Sequence, residues 1–208
     1  ADYEHSPHLV KTIQAEKEGF MPQEFADYKS KLQSQIQEEY GRVVYTYTCH
    51  HKIADRLSGR NSKIKVWQII LSAVSTGGFL GTLITNQQIL VWVGGLCSTV
   101  LLALNSYLKD KDLAAEKANH LKAANALWKV RADYLSLLTD FDVLSDSEIA
   151  AKRDDLIDRC AEIYATMPAT DAESYTAAQQ ALKSNEEQFF TQDELNKMLP
   201  QHLRKEEK

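Results

Sequence analysis

Between Lys65 and Lys109 the chain contains no Asp, Glu, Lys or Arg. Proline, glycine and cysteine are also scarce, at four, eight and three in 208 residues. With so few prolines, little interrupts a helix, since an interior proline removes a backbone hydrogen bond and clashes with the preceding turn. No stretch alternates apolar and polar residues with a period of two, which excludes a fold built on half-buried strands. Five of the eight glycines, Gly77, Gly78, Gly81, Gly94 and Gly95, fall inside the uncharged stretch, where a missing side chain lets helices approach closely. Cys49, Cys97 and Cys160 stand far apart and spell neither a disulfide framework nor a zinc site, which fits a reducing compartment. A glycine-rich phosphate loop, a Ser-His-Asp arrangement and a nucleotide-binding fingerprint are all missing. The chain is therefore expected not to be an enzyme, with no catalytic residues and no cofactor.

The uncharged stretch divides into two apolar segments, residues 66–84 and 89–108, on either side of the polar turn Thr85-Asn86-Gln87-Gln88. A helix rising 1.5 Å per residue needs about 20 residues to cross a hydrocarbon core of about 30 Å, and each segment supplies that length. The bland alternative, a pair of core helices in a soluble domain, would normally keep a charged stripe on each helix. The reading is a transmembrane hairpin. Its first apolar run begins too deep in the chain for the h-region of a secretory leader, so neither segment is expected to be removed. The negative mean hydropathy averages this hairpin with two polar arms and conceals it.

Charge is distributed in three bands. Residues 1–51 carry a net −3, residues 52–122 a net +5 and residues 123–208 a net −7. The positive band hugs the hairpin, with Lys52, Arg56, Arg60, Lys63 and Lys65 before it and Lys109, Lys111, Lys117 and Lys122 after it, whereas the turn has none. By the positive-inside rule both termini are expected in the cytoplasm. Basic residues at this depth also meet anionic headgroups favourably, so membrane lipids are an expected partner. The acidic distal arm argues against direct nucleic-acid binding by the isolated chain. Acidic arms brought together in a ring would repel over a Debye length of about 8 Å, which points to a resting inhibitor or a basic partner.

Outside the hairpin the pattern is helical. From residue 23 onward Phe25, Tyr28, Leu32, Ile36, Tyr40, Val43, Tyr47, Ala54 and Leu57 recur three or four apart, an amphipathic seam interrupted at His50-His51. After the second span Leu121, Ala124, Trp128, Leu135 and Leu138 keep the spacing, with Arg131 breaking it once, which predicts a helix running unbroken from the membrane to about Thr139. Three capping-box spellings, Ser145-Asp-Ser-Glu148, Thr170-Asp-Ala-Glu173 and Thr191-Gln-Asp-Glu194, predict fresh helix starts. Pro168 and Pro200 fall where helices end. The expected organisation is a flexible N-terminus over residues 1–22, a stalk helix over 23–62, the hairpin over 64–108, a second stalk helix over 109–142, a helical C-terminal region over 145–200 and a tail over 201–208. The fold class is an all-α membrane protein, a hairpin continuous with long helices that form an antiparallel stalk.

Two residue sets are candidates for function. In the first span Gln68, Ser72, Ser75, Thr76 and Thr82 fall mostly on one face, with Ala73, Gly77 and Gly81 as a small-residue ladder beside it; the second span offers Gly94, Gly95, Ser98, Thr99 and Asn105. Each could merely serve helix packing, but together they exceed the needs of one hairpin. Gln68 and Asn105 are the expected polar constrictions of a shared lumen. Two helices cannot enclose a lumen, so conduction would require a homo-oligomer of at least four hairpins, and without an intramembrane charge it would select ions weakly. The second set, His50, His51, Lys52, Arg56 and Arg60, is a patch for headgroups or for a ligand such as a nucleotide, with headgroup contact and topology the preferred role. Cys49-His50-His51 is not read as a metal site, because adjacent helical residues point about 100° apart. The acidic face Asp154, Asp155, Asp158 and Glu162 is interleaved with Lys152, Arg153 and Arg159 and reads as solvated ion pairs.

A basic-flanked helix, Tyr45-Thr-Tyr-Thr-Cys-His50, Lys63-Ile-Lys-Val-Trp-Gln-Ile-Ile-Leu-Ser-Ala73, a very short turn, a second span, then Trp128 and Tyr134-Leu-Ser-Leu-Leu-Thr-Asp140 follow one another in this chain. That order resembles the SLATT family of bacterial two-transmembrane effector domains, over nearly the whole chain. Arg153-Asp-Asp-Leu156, Ile163-Tyr164 with Pro168, and Phe189-Phe-Thr-Gln-Asp-Glu194 ending at Leu199-Pro200 resemble the C-terminal region of a subset associated with reverse-transcriptase defence loci. The resemblance implies an effector of anti-phage defence at the bacterial inner membrane, which oligomerises, permeabilises or depolarises the membrane when triggered, and causes abortive infection. It also implies a cytoplasmic defence partner, a reverse transcriptase or a nucleotide-signal synthase. The chain departs from sensor-fused effectors in having no recognisable nucleotide-sensing domain, so its trigger comes from a partner or binds the arms. The alternative is a membrane-anchored scaffold that recruits such a partner, for example a nucleotidyltransferase, without conducting.

Overall fold

The computed structural model describes residues 23–85, 87–109 and 111–204. The expectations for the N-terminal 22 residues, for Asn86 in the turn, for Asp110 and for the end of the tail lie outside them, as does the side chain of Phe25. Among the described residues six α-helices run in order: α1 Gln23–Thr85, α2 Gln88–Lys109, α3 Leu113–Thr139, α4 Asp146–Thr166, α5 Ala172–Lys183 and α6 Gln192–Met198, followed by a 3₁₀ turn at Gln201–Leu203. No strand occurs among the described residues. Helix α1 continues through His50-His51 for 63 residues. No proline lies between Pro22 and Pro168 to stop it.

The helix expected to run unbroken from the second span to Thr139 is broken after Lys109. Asp112 causes the restart: its Oδ1 accepts from the amides of Ala114 and Ala115 at 3.0 and 2.9 Å. A carboxylate in that position satisfies amides that a continuing helix would bond to earlier carbonyls, so it favours a new N-terminus over propagation. Ser145 and Thr191 cap α4 and α6 with Glu148 and Glu194 as their reciprocal partners. The third box sits one residue later than its spelling, with Asp171 as the cap and Ser174 reaching back. Pro168 and Pro200 follow the ends of α4 and α6.

The described residues fall into two units. One comprises residues 23–44 with Lys129–Glu162. Its core is Leu32, Ile36, Val43 and Val44 from α1, Val130, Tyr134 and Leu137 from α3, Phe141, and Ile149, Leu156 and Cys160 from α4. Arg153 Nη1 donates to Gln35 Oε1 at 3.0 Å and Arg159 pairs with Asp133 at 2.7 Å. Arg153 and Arg159 also pair with Asp154 and Asp155, so the acidic face of α4 carries interleaved ion pairs.

The other unit comprises Tyr45–Trp128 with residues 163–204. Here α1 runs antiparallel to α2 and then α3, as partner numbers show: Ser75 meets Ser98, Gln68 meets Asn105, Ser58 meets Lys117 and His50 meets His120. Ile53, Leu57 and Leu113 form an apolar cluster where α2 gives way to α3, with Ile64 and Leu108 packed against it.

The seam of α3 differs from the expected one. Of the expected seam Trp128 and Leu135 are exposed, at 55 % and 51 %, and Ala124 is buried, whereas His120, Ala123, Leu127, Val130, Tyr134 and Leu137 form the buried side. The true seam lies one residue earlier, about 100° around the helix. It avoids Arg131 but contains His120, which hydropathy counts as polar and which is buried because its ring has a partner.

Both apolar segments lie in helices long enough to span a membrane, and only 6 % of each apolar window is buried. A core helix of a soluble protein would be mostly covered. Ile69, Leu83, Ile84, Trp92 and Leu96 are all at least 65 % exposed, an apolar surface that water does not tolerate and hydrocarbon does. The protein is an all-α membrane protein.

The two spans approach closely at Gly78 and Gly94. A Cβ at Gly78 would lie 3.0 Å from the Leu90 carbonyl oxygen and 3.4 Å from the Gly94 Cα, and one at Gly94 would lie 3.2 Å from the Ser75 oxygen. At Gly77 and Gly95 a Cβ would meet nothing within 4 Å. Gly78→Ala is therefore expected to lower hairpin stability by about 1–3 kcal/mol through forced separation of backbones. Gly95→Ala should be neutral or slightly stabilising, because alanine is the better helix former. Thermal unfolding of the two variants in detergent measures the difference.

Candidate functional site

Polar side chains of the hairpin divide by how their hydrogen bonds are met. Gln68 Nε2 donates to Asn105 Oδ1 at 2.7 Å, and the Ser75 and Ser98 hydroxyls are 2.5 Å apart. These four residues bridge the two spans. Thr82, Thr85 and Thr99 donate back to the carbonyls of Gly78, Gly81 and Gly95 on their own helices, at 2.8–3.0 Å. Ser72 and Thr76 do neither: no hydrogen bond joins their side chains to any described residue. With Ala73, Gly77, Gln68 and Asn105 they line an open groove of about 910 Å³ along the hairpin. Gly81 instead abuts the Leu90 side chain. The sequence-derived stripe thus separates into bridging residues (Gln68, Ser75, Ser98, Asn105), a self-satisfied threonine (Thr82) and a free face (Ser72, Ala73, Thr76, Gly77). Hydroxyls in hydrocarbon without a partner are poorly solvated, and a neighbouring helix or a file of water can satisfy them.

The basic patch on α1 is largely engaged inside its own unit. His50 is 2 % exposed, and its Nδ1 lies 2.8 Å from Nδ1 of His120, so one ring donates and the other accepts. Burial, the His120 ring and His51 hold the His50 pKa down to about 4, and burial lowers that of His120 as well. The pair is therefore neutral at pH 7. His51 packs edge-on against Tyr47 at 4.7 Å. Lys52 pairs with Glu187 at 2.8 Å, and Arg56 pairs with Asp171 and with Glu173, the latter at 2.7 Å. The Arg56 guanidinium and the Ser174 amide hold the Asp171 carboxyl below the usual carboxylate range, and Asp171 raises Arg56 in return. Arg56 thereby explains the shifted capping box: it fixes a carboxylate at residue 171, a stronger acceptor for the helix amide than the Thr170 hydroxyl.

Further contacts tie the C-terminal segment to the same stretch of α1. Gln188 donates to the Thr48 hydroxyl at 2.8 Å, Tyr175 stacks on Tyr45 at 5.5 Å, and the loop between α5 and α6 turns through positive φ at Glu186 and Gln188. Cys49 is buried beside Ser174, and burial pushes its thiol up. Of the three cations in the patch, Arg60 has no ion pair among the described residues, and its Nη2 reaches the Tyr107 hydroxyl at 3.5 Å.

Sequence reasoning missed His120, Asp171, Glu187, Gln188 and the Gly78–Gly94 contact. A signal for some of these was present. In a tight antiparallel hairpin, residues equally far from the turn face one another, which pairs Gln68 with Asn105 and Ser75 with Ser98. The partners from the C-terminal segment had no such signal, because nothing in the spacing of α5 says which stretch of α1 it meets.

The family model described as SMODS and SLOG-associating 2TM effector domain family 4 matches residues 32–194. No curated protein and no solved structure matches the chain.

The buried histidine pair generates a pH prediction. A folded pKa near 4 against about 6.5 in an unfolded chain means that the unfolded state takes up protons first as pH falls. The pair is fully compatible with folding above pH 6.5, and stability declines from there towards pH 4. Unfolding midpoints of the full chain in detergent at pH 7.5, 6 and 5 should fall in that order. Replacing both rings, His50→Leu with His120→Leu, should flatten the decline.

Proposed function

The chain belongs to the family of SMODS and SLOG-associating two-transmembrane effector domains, and from that premise we propose that this membrane effector acts by assembling into a homo-oligomer that permeabilises the bacterial inner membrane. The observation that carries this reading is the free polar face of the first span. The side chains of Ser72 and Thr76 have no hydrogen-bond partner among the described residues, and they line an open groove with Ala73 and Gly77. Small residues let a second hairpin approach, and the two hydroxyls are left for its side chains or for water. Gln68 and Asn105, joined to each other at one end of the groove, form its polar mouth on the side of the basic band. With no charge inside the membrane, conduction would be weakly selective and gated by packing or dewetting.

Orientation follows the same charges. Arg60, Lys63, Lys65, Lys109 and Lys111 flank one end of the hairpin and the turn at the other end has none, which supports both termini in the cytoplasm. The family description names association with SMODS and SLOG, and in this proposal a cytoplasmic defence partner of that kind, a nucleotide-signal synthase or a reverse transcriptase, holds the effector inactive and releases it on infection. Depolarisation then ends the infected cell, which is abortive infection.

Membrane potential, read with a voltage-sensitive dye in bacteria expressing the chain alone, tests the proposal. The unaltered chain should depolarise the cells. Ser72→Leu with Thr76→Leu should abolish the effect at equal abundance and with the hairpin still inserted, because leucine is well solvated by lipid and removes only the free polar face. Full potential and normal growth with the unaltered chain, or full depolarisation by the leucine variant, would sink this reading and favour an inert anchor that recruits a partner.

A further inference from the structure

Among the cations of the basic band without an ion pair to a described residue, Arg60 and Lys63 border an apolar groove. Arg60, Lys63, Ile64, Trp67, Leu104 and Tyr107, together with the already paired Arg56, line a groove of about 600 Å³ where α1 and α2 enter the uncharged segment. Neither Arg60 nor Lys63 has an ion pair among the described residues, in contrast to Lys52 and Arg56 on the same helix. Tyr107 stands between cations, with Arg60 Nη2 at 3.5 Å from its hydroxyl and Lys111 Nζ at 5.7 Å from its ring centre. Below this cationic rim the wall is apolar, and Trp67 is 59 % exposed within it. Gly59 contributes no side chain, and a Cβ there would meet nothing within 4 Å, so the rim stays open.

We infer that this groove is a binding site for one anionic glycerophospholipid. The phosphate lies between Arg60 and Lys63, and an acyl chain follows Ile64, Trp67 and Leu104 towards the membrane. A free phosphate or nucleotide would use the cations and leave the apolar wall idle. The order of charge, aromatic belt and apolar wall along the helix matches the order of headgroup, interface and hydrocarbon across a leaflet. The headgroup contact is assigned to Arg60 and Lys63, nearer the membrane than Arg56, which also lines the groove but already holds Asp171 and Glu173. This inference rests on the membrane reading of the hairpin and is independent of conduction.

The test is native mass spectrometry of the purified full chain in detergent, titrated with phosphatidylglycerol and, separately, phosphatidylcholine. The unaltered chain should retain phosphatidylglycerol in preference to phosphatidylcholine. Arg60→Gln with Lys63→Gln should weaken phosphatidylglycerol binding by about 30-fold, two headgroup cations' worth. Lys65→Gln with Lys109→Gln, cations of similar depth outside the groove, should change it by less than about threefold. Arg60→Lys with Lys63→Arg keeps both charges and should bind nearly as the unaltered chain does, which separates loss of the site from loss of folding. Equal weakening by the two glutamine pairs would mean diffuse attraction to the surface and overturn the site. So would displacement of the lipid by millimolar inorganic phosphate, which would mark a free-anion site, or equal retention of phosphatidylcholine.

Discussion

In hydrocarbon a peptide group has no water to bond to, so the N–H and C=O groups of each apolar segment must be satisfied along its own helix. That constraint turns the uncharged stretch into two helices and a turn, and leaves their mutual approach as the main variable. Gly78 and Gly94 settle it by removing side chains where the backbones meet. Once that contact is made, the register is determined outward from the turn. Ser75 faces Ser98, Gln68 faces Asn105, and beyond the apolar segment Ser58 faces Lys117 and His50 faces His120. One contact inside the membrane thus places a buried polar pair many turns outside it.

The positive band serves two ends with different residues. Nearest the apolar segments, Arg60, Lys63 and Lys65 have no acidic partner among the described residues, and the proposed lipid site draws on the first two. Further out, Lys52 and Arg56 are neutralised by Glu187, Asp171 and Glu173, so part of the acidic excess of the distal third is spent within the unit. These pairs are partly exposed, and each contributes little by itself. Their weight comes from being joined to a helix cap, a buried hydroxyl and a ring stack on the same stretch of α1. Disturbing this stretch of α1 would therefore be felt by the C-terminal segment, and the reverse.

Polar residues in the spans are not equivalent, and the difference is one of hydrogen-bond accounting. Four of them bridge the hairpin, and three threonines bond to their own helix. Among the described residues the side chains of Ser72, Thr76 and Ser106 do neither, and the proposed assembly draws on the first two, which line the groove.

Composition and order along the chain were enough for the class of the protein. An uncharged stretch of this length with a polar turn at its centre has few physical solutions, and basic flanks, capping spellings and proline positions located most helix ends. The family, too, was legible, in the order of motifs around the hairpin. What spacing could not resolve was anything that depends on a partner distant in sequence. Asp112 restarts a helix that hydropathy would continue, His120 is buried because His50 is there to meet it, and Asp171 takes the cap from Thr170 because Arg56 holds it. Ser72 and Ser75 look alike in the sequence, yet only Ser75 finds a partner across the hairpin. Helix and membrane insertion are set by local backbone and solvation terms that each segment carries with it. The choice among faces, caps and buried polar groups is a pairwise matter, decided only when the helices come together.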